Sequence, residues 1–213
     1  MYKLETQIDG HFVNNFYNGS IYDLVFLDLE FWPDYINGRG VRRIYGYTIT
    51  RILKASKKQY IKIKFIEAAK EEEQLVKEIL QEIHRLCNKV FVGFNIKESD
   101  IKMLKIRLKA MNVYSESINV KIFDLRGHTP PEENQGLSGL AKYLGIKVNK
   151  KIDGRYFKCK AKKVLTRRRG YQDILITMFE YCLEDAAGYF EIVGSWNKKN
   201  SLVIKDAITV EVL

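Results

Sequence analysis

Cysteine is scarce and unpatterned. Cys87, Cys159 and Cys182 are an odd number without CxxC spacing, which argues against a disulfide framework or a zinc site. No apolar run approaches the roughly 18 residues that a membrane span requires, so no membrane partner is expected. The opening MYKLETQIDG lacks the apolar core of a secretory signal, and cytoplasmic residence is the expectation. Convincing internal repeats and low-complexity linkers are absent too. What is present is globular: 46% hydrophobic and 29% charged residues over 213 positions, enough for a full core and against disorder. A single domain over 1–213 follows.

Charge is distributed very unevenly. Residues 147–170 hold 11 basic side chains against Asp153 alone, while the rest of the chain balances at 25 of each sign, so the net +10 resides in that segment. Clustered Lys and Arg release counterions on binding a polyanion, so Lys158, Lys160, Lys162, Lys163, Arg167, Arg168 and Arg169 are candidate nucleic-acid contacts. Tyr156 and Phe157 are interleaved there and could stack on bases. A solvated or flexible basic loop is the plainer alternative.

The apolar run Tyr22 to Phe31 reads as a central strand buried on both faces. WPDYINGRG follows, with Pro33, Gly38 and Gly40 as loop punctuation. Residues 43–52 and 59–66 carry the β-branched and aromatic enrichment of strands, and short connections predict an antiparallel meander. Leu75, Ile79, Ile83 and Leu86 form one stripe of a helix over 71–87. A strand at Val90 to Phe94 closes at Asn95, and a helix from about Ser99 to Met111 comes next. Val120 to Phe123 reads as a fifth strand and GLSGLAKYLG as a short helix. The basic segment is expected as an insertion or lid at about 147–170, before a long helix from Tyr171 to Trp196. IKDAITVEVL is either a small edge strand or a tail. The expected architecture is α/β, a mixed five-stranded sheet flanked by helices.

Four acids interrupt segments that otherwise read as core, where an unpaired carboxylate is costly. Asp28 and Glu30 lie two apart, so on a strand they share one face, roughly 6.6 Å apart along the chain. Asp185 interrupts the stripe Ile174, Met178, Tyr181, Tyr189 of the last helix, with Tyr181 one turn before it. Asp100 stands five residues after Asn95, at a strand-to-helix junction; a first-turn acid complementing the helix dipole is its ordinary role. Asp124 on the following strand is a rival for the same place. Convergent carboxylates are hard oxygen ligands suited to paired Mg²⁺ or Mn²⁺, about 3.5–4 Å apart across a phosphodiester.

The order DxE in FLDLEF, N-x₄-D in VGFNIKESDIKML and Y-x₃-D in YCLEDA resembles the three motifs of the DEDD superfamily of 3′→5′ exonucleases, in its tyrosine-bearing (DEDDy) branch. The second and third are especially similar to the proofreading domain of family B DNA polymerases. The resemblance spans residues 24 to about 190 and implies a ribonuclease H-like fold in a stand-alone exonuclease. It implies that Asp28, Glu30 and Asp185 bind one metal ion, with Asp28 bridging to a second that Asp100 supports. Tyr181 would orient the attacking water. Where the histidine branch carries its general base, this chain has Glu180, and none of His11, His84 and His128 is near. Ser99 departs from the large apolar residue that commonly precedes the second-motif aspartate. Asn95 is counted with the nucleic-acid contacts, and Leu29, Phe31 and Phe94 are neighbours of the terminal base or simply core.

The implied activity is metal-dependent 3′→5′ hydrolysis of single-stranded nucleic acid, DNA favoured over RNA, releasing nucleoside 5′-monophosphates. A catalytically silent nucleic-acid-binding module on the same fold and a structure-selective endonuclease are the alternatives. No protein partner is legible.

Overall fold

Leu24, Val25, Phe26, Leu27 and Leu29 are all buried, because the strand they form is covered on both faces and bordered on both edges over its first half. The structure, a computed structural model, describes residues 1–9, 21–36, 39–113, 116–129, 136–146, 154–200 and 207–212. In chain order these form β1 (Tyr2–Ile8), β2 (Leu24–Ile36), β3 (Arg39–Ile52), β4 (Gln59–Phe65), α1 (Glu72–Arg85), β5 (Val90–Gly93), α2 (Lys102–Ala110), β6 (Asn119–Asp124), α3 (Leu137–Tyr143), α4 (Gly154–Leu165), α5 (Tyr171–Asn200) and β7 (Ile208–Glu211).

The sheet is mixed and open, with seven strands in the order β1-β4-β3-β2-β5-β6-β7. The expected five are its centre: the meander β2-β3-β4 is antiparallel, and β5 and β6 run parallel to β2. Two edge strands correct that number. β1 pairs antiparallel with β4, and its alternately half-buried and exposed residues are too weakly apolar to stand out in sequence. β7 pairs antiparallel with β6, so the carboxy-terminal segment is an edge strand.

The expected loop at 32–40 is instead the outer part of a long hairpin. β2 continues to Ile36 and β3 opens at Arg39. Cross-strand contacts hold it, with the Arg42 guanidinium 4.7 Å from the Phe31 ring centroid and that of Arg43 5.1 Å from Trp32. Pro33 is exposed on a stretch of β2 whose only paired strand among the described residues is β3, an open edge where a missing N–H is tolerated.

Side chains on β4 define the two faces of the sheet. Lys62 and Lys64 reach Glu82 and Glu78 of α1, whereas Gln59 donates to the Ala186 carbonyl of α5 at 2.6 Å and Phe65 packs edge-on against Phe179. Within the basic segment, residues 154–165 form α4, an amphipathic helix that buries Ala161 and Val164 and packs against β2 and α5.

One buried acid joins α1, α2 and β3. Glu72 is fully buried and accepts from Arg43 Nε at 2.6 Å, from Arg107 Nε and Nη2 at 2.8 and 2.9 Å, and from the Ile44 N–H at 2.8 Å. Removing that charge strands the Arg107 guanidinium and leaves Arg43 with Asp34 and the Ala69 carbonyl, at a cost of about 3–5 kcal/mol. Glu72→Gln should lower the urea midpoint accordingly, and a midpoint within error of wild type would refute the role given to this network.

Candidate active site

Strand alternation sets Asp28 and Glu30 on the α5 face of β2. Their partners across the hairpin are Thr48 and Gly46. Between Glu30 and Phe31 the register shifts, because Tyr45 is an extra residue on β3. Gly46 is required beside this bulge: a Cβ there would lie 2.2 Å from Phe65 Cδ1 and 2.5 Å from the Lys64 carbonyl. A bulge next to a functional side chain re-aims it, and Glu30 is the side chain at this one.

Asp100 is brought in by a different device. The ladder between β2 and β5 covers only Leu24 to Phe26, so the next N–H groups on that edge of β2 need other acceptors. Asp100 Oδ1 accepts from the Leu29 N–H at 2.7 Å, between Asp28 and Glu30. Gly93 ends β5 only 3.1 Å, measured from an added Cβ, from the Leu27 carbonyl, so the chain turns close against β2. The helix expected from Ser99 begins as a π-turn over Lys97–Ile101, with Ile101 N bonded to the Ile96 carbonyl five residues back. This wide turn carries Asp100 towards β2.

Asp124, the rival for that place, is occupied as a clamp. Its carboxylate accepts from the N–H groups of Asn95 at 2.7 Å, Arg126 at 3.0 Å and Lys97 at 3.1 Å, fixing the turn ahead of Asp100. Asn95 takes a left-handed φ of 63°, and its Oδ1 accepts from Arg126 Nη1 at 3.0 Å.

The long helix α5 supplies the last two groups. Asp185 is 7% exposed and Tyr181 half-buried on its inward face. Gln59 anchors the helix here through Ala186, and Tyr189 stacks on Phe26 with ring centroids 4.6 Å apart. Cys182 lies beneath Glu30 and its thiol donates to Oε1 at 3.5 Å.

Electrostatics register the convergence. Burial first, then the charges of Asp28 and Asp185, hold the Glu30 carboxyl well above the ordinary range, with the Cys182 hydrogen bond opposing. Burial and then Asp28 do the same to Asp100, against the Leu29 N–H. Burial, followed by Asp185, Glu30 and Asp28, raises the Tyr181 phenol, so it is protonated at neutral pH.

Among the described residues, no three His, Cys, Asp or Glu side chains stand together at metal-holding distances. Glu30 is turned to Cys182 and Asp100 to Leu29, each taking a hydrogen bond within the protein. The donor chemistry nonetheless fits hard divalent cations: buried carboxylate oxygens whose mutual repulsion opposes ionisation.

The basic residues divide. Lys162, Lys163, Arg168 and Arg169 are exposed on or after α4, on the helix that packs over β2, and the Lys162 charge contributes to lowering Asp34. Lys160 lies over the Tyr156 ring at 5.9 Å. Arg167 is exposed as well, and its guanidinium pairs with Glu67 at 2.8 Å. The side chains of Phe157 and Lys158, and residues 147–153, lie outside the described residues. Leu29 and Phe31 are core, and Phe94 is partly buried.

A family model described as the RNase H superfamily matches residues 25–197, from the first carboxylate strand to the end of the last carboxylate helix. The chain belongs to the RNase H superfamily. No curated protein matches it. Among solved structures it is similar to the family B DNA polymerase from the hyperthermophilic archaeon Pyrobaculum calidifontis, with a TM-score of 0.54 at 14% identity. That alignment covers 83% of this chain and 24% of the polymerase, so the chain spans about a quarter of that protein's length, and the likeness is one of fold.

Three participants in this candidate site escape sequence reading. Cys182 and Gln59 look like ordinary strand and helix residues, and the Leu29 N–H carries no side-chain signal. Asp124 does carry one, as an acid opening a short turn of Leu125–His128.

Raised carboxyl values have a signed consequence. With EDTA present, folded Glu30 and Asp100 hold protons that the unfolded chain releases above about pH 4. Stability from these groups is therefore full below that pH and is lost as pH rises through their folded values. Asp28→Asn removes a charge that both groups feel and should stabilise the protein at pH 7 in EDTA by about 0.5–2 kcal/mol. A lower denaturation midpoint in this variant would show that the acids are not in mutual repulsion.

Proposed function

We propose that this chain is a divalent-metal-dependent 3′→5′ exonuclease of the tyrosine-bearing DEDD type. Its substrate is single-stranded nucleic acid, DNA in preference to RNA, and its products are nucleoside 5′-monophosphates. One observation carries the reading: Asp28, Glu30, Asp100 and Asp185 come from a strand, a π-turn and a helix to the middle of β2, within electrostatic reach of one another and of Tyr181. The place itself favours ligand binding, because it lies just past the carboxyl end of β5, where the ladder with β2 has ended and the connections of the two strands leave in opposite directions.

Asp28, Glu30 and Asp185 would hold one Mg²⁺ or Mn²⁺, with Asp28 and Asp100 serving a second. When bound, such ions neutralise phosphodiester charge and lower the pKa of a bound water. The chain's own groups do the rest. Asp100 is oriented by the Leu29 N–H, and Glu30 by the Cys182 thiol. Tyr181, kept protonated, acts through its O–H as a donor that orients water, not as a base. Glu180 is exposed, one residue round the helix from Tyr181, and takes no part. α4 presents Lys162 and Lys163 beside the same face, where they track the sugar-phosphate backbone irrespective of sequence.

A time course on 5′-labelled single-stranded DNA and matched RNA tests the reading, with Mg²⁺, Mn²⁺ or EDTA. We expect a metal-dependent ladder shrinking from the 3′ end, abolished by Asp28→Ala and by Asp185→Ala while binding persists. Turnover retained in either variant overturns the assignment. Cleavage of circular single-stranded DNA would identify an endonuclease, and binding without shortening under any metal a silent module. Changing Lys162, Lys163, Arg168 and Arg169 to Gln should flatten the salt dependence of binding by about 0.7 per lost phosphate contact. Arg167→Gln, whose guanidinium is held by Glu67, should move it least. Equal slopes in all these variants would place the substrate elsewhere.

A further inference from the structure

A second recess opens at another place along the sheet. It is a pocket of about 270 Å³ lined by Tyr22, Asp23, Arg51, Ile52, Lys54 and Lys89, where β2 begins and β3 ends. Arg51 pairs with Val25 across the hairpin and lies over the Tyr60 ring at 5.6 Å. Tyr60 alternates on β4 with Gln59 and Ile61, so it faces α1, whereas Asp28 and Glu30 face α5. Arg51 therefore faces away from the carboxylates while Ile52 turns to the α5 face, and the pocket lies at the start of β2, apart from Asp28 and Glu30 along the strand.

Its charge is unbalanced. Lys89 Nζ holds Asp23 Oδ1 at 2.9 Å, which leaves Arg51 and Lys54 with no acidic partner among the described residues. The Arg51 Nε–H is withdrawn from water and has no acceptor. A buried unsatisfied donor costs about 1–3 kcal/mol and calls for an explanation. Burial and then the nearby Arg85 hold the Arg51 guanidinium below its ordinary value, against the opposing influence of Tyr60 and Glu82.

We propose that this pocket binds a phosphoryl group. A guanidinium presents a planar fork of donors that matches phosphate oxygens, and Lys54 adds a point charge, so the pair suits a dianion better than a carboxylate. Tyr22 and Ile52 give the wall an apolar patch for the attached sugar or base. Two sources carry this chemistry: a free nucleoside monophosphate, or a backbone phosphate of a strand passing behind the sheet. The inference rests on the pocket's own residues and does not require that the chain cleave anything.

The test is calorimetric titration of dAMP into the protein in EDTA, with inorganic phosphate as competitor, beside Lys54→Gln, Arg51→Gln and Asp28→Asn. Lys54 is exposed, so its variant tests the pocket even where Arg51→Gln unfolds. Each pocket variant should weaken dAMP about tenfold, the worth of one charge-assisted hydrogen bond, and Asp28→Asn should not weaken it. Binding of labelled single-stranded DNA against salt names the source. A slope lowered by about 0.7 in Lys54→Gln assigns the pocket to a strand phosphate, and an unchanged slope with dAMP binding lost assigns it to free nucleotide. No dAMP binding together with an unchanged slope, or equal affinities in wild type and both pocket variants, overturns the proposal.

Discussion

Leu29 gives its N–H to Asp100 at the point where β5 has already ended and β2 still needs acceptors on that edge. This bond of 2.7 Å completes the backbone pairing of a central strand with a carboxylate from another element. Much else is arranged so that it can form. Gly93 lets the chain turn tightly against Leu27, Asp124 clamps the turn at Asn95 and Lys97, and the π-turn widens to bring Asp100 across. The same bond sets Asp100 between Asp28 and Glu30, so satisfying the fold and building the acidic cluster are one act.

The protein buries acids in two contrasting ways, on opposite faces of one sheet. Glu72 is matched by Arg43, Arg107 and a backbone N–H, and knits α1, α2 and β3 together. Glu30 and Asp100 feel chiefly burial and other acids. The first arrangement contributes to stability. The second opposes it and is tolerated because the surrounding core is extensive, as is common where a site needs charge that the fold does not.

Legibility followed periodicity. Asp28 and Glu30 were readable because alternation in a strand has period two, and Asp185 because it breaks a helical stripe. Asp100 could be named but not distinguished from Asp124. That choice depends on which carboxylate reaches the Leu29 N–H, a tertiary fact. The bulge at Tyr45 was likewise invisible, since it exists only as a register between two strands. Pro33 and the glycines of 32–40 read as a loop, although Pro33 sits on an open edge where its lost N–H does no harm. The basic segment concealed a helix because its charges outnumber the few residues, Ala161 and Val164, that anchor it. β1 and β7 are edge strands with only one neighbour each, and one-sided burial writes a weak pattern.

The bulge at Tyr45 also divides the long hairpin into two mechanically distinct parts. Below it, pairing with β4 and β5 fixes the register of Asp28 and Glu30. Above it, among the described residues, 31–36 pair with 39–44 alone, so lengthening or shortening the arm by matched pairs beyond Trp32 and Arg43 leaves the carboxylates in place. The outer arm is thus a module whose reach can drift between relatives, or be redesigned, without retuning the chemistry beneath it.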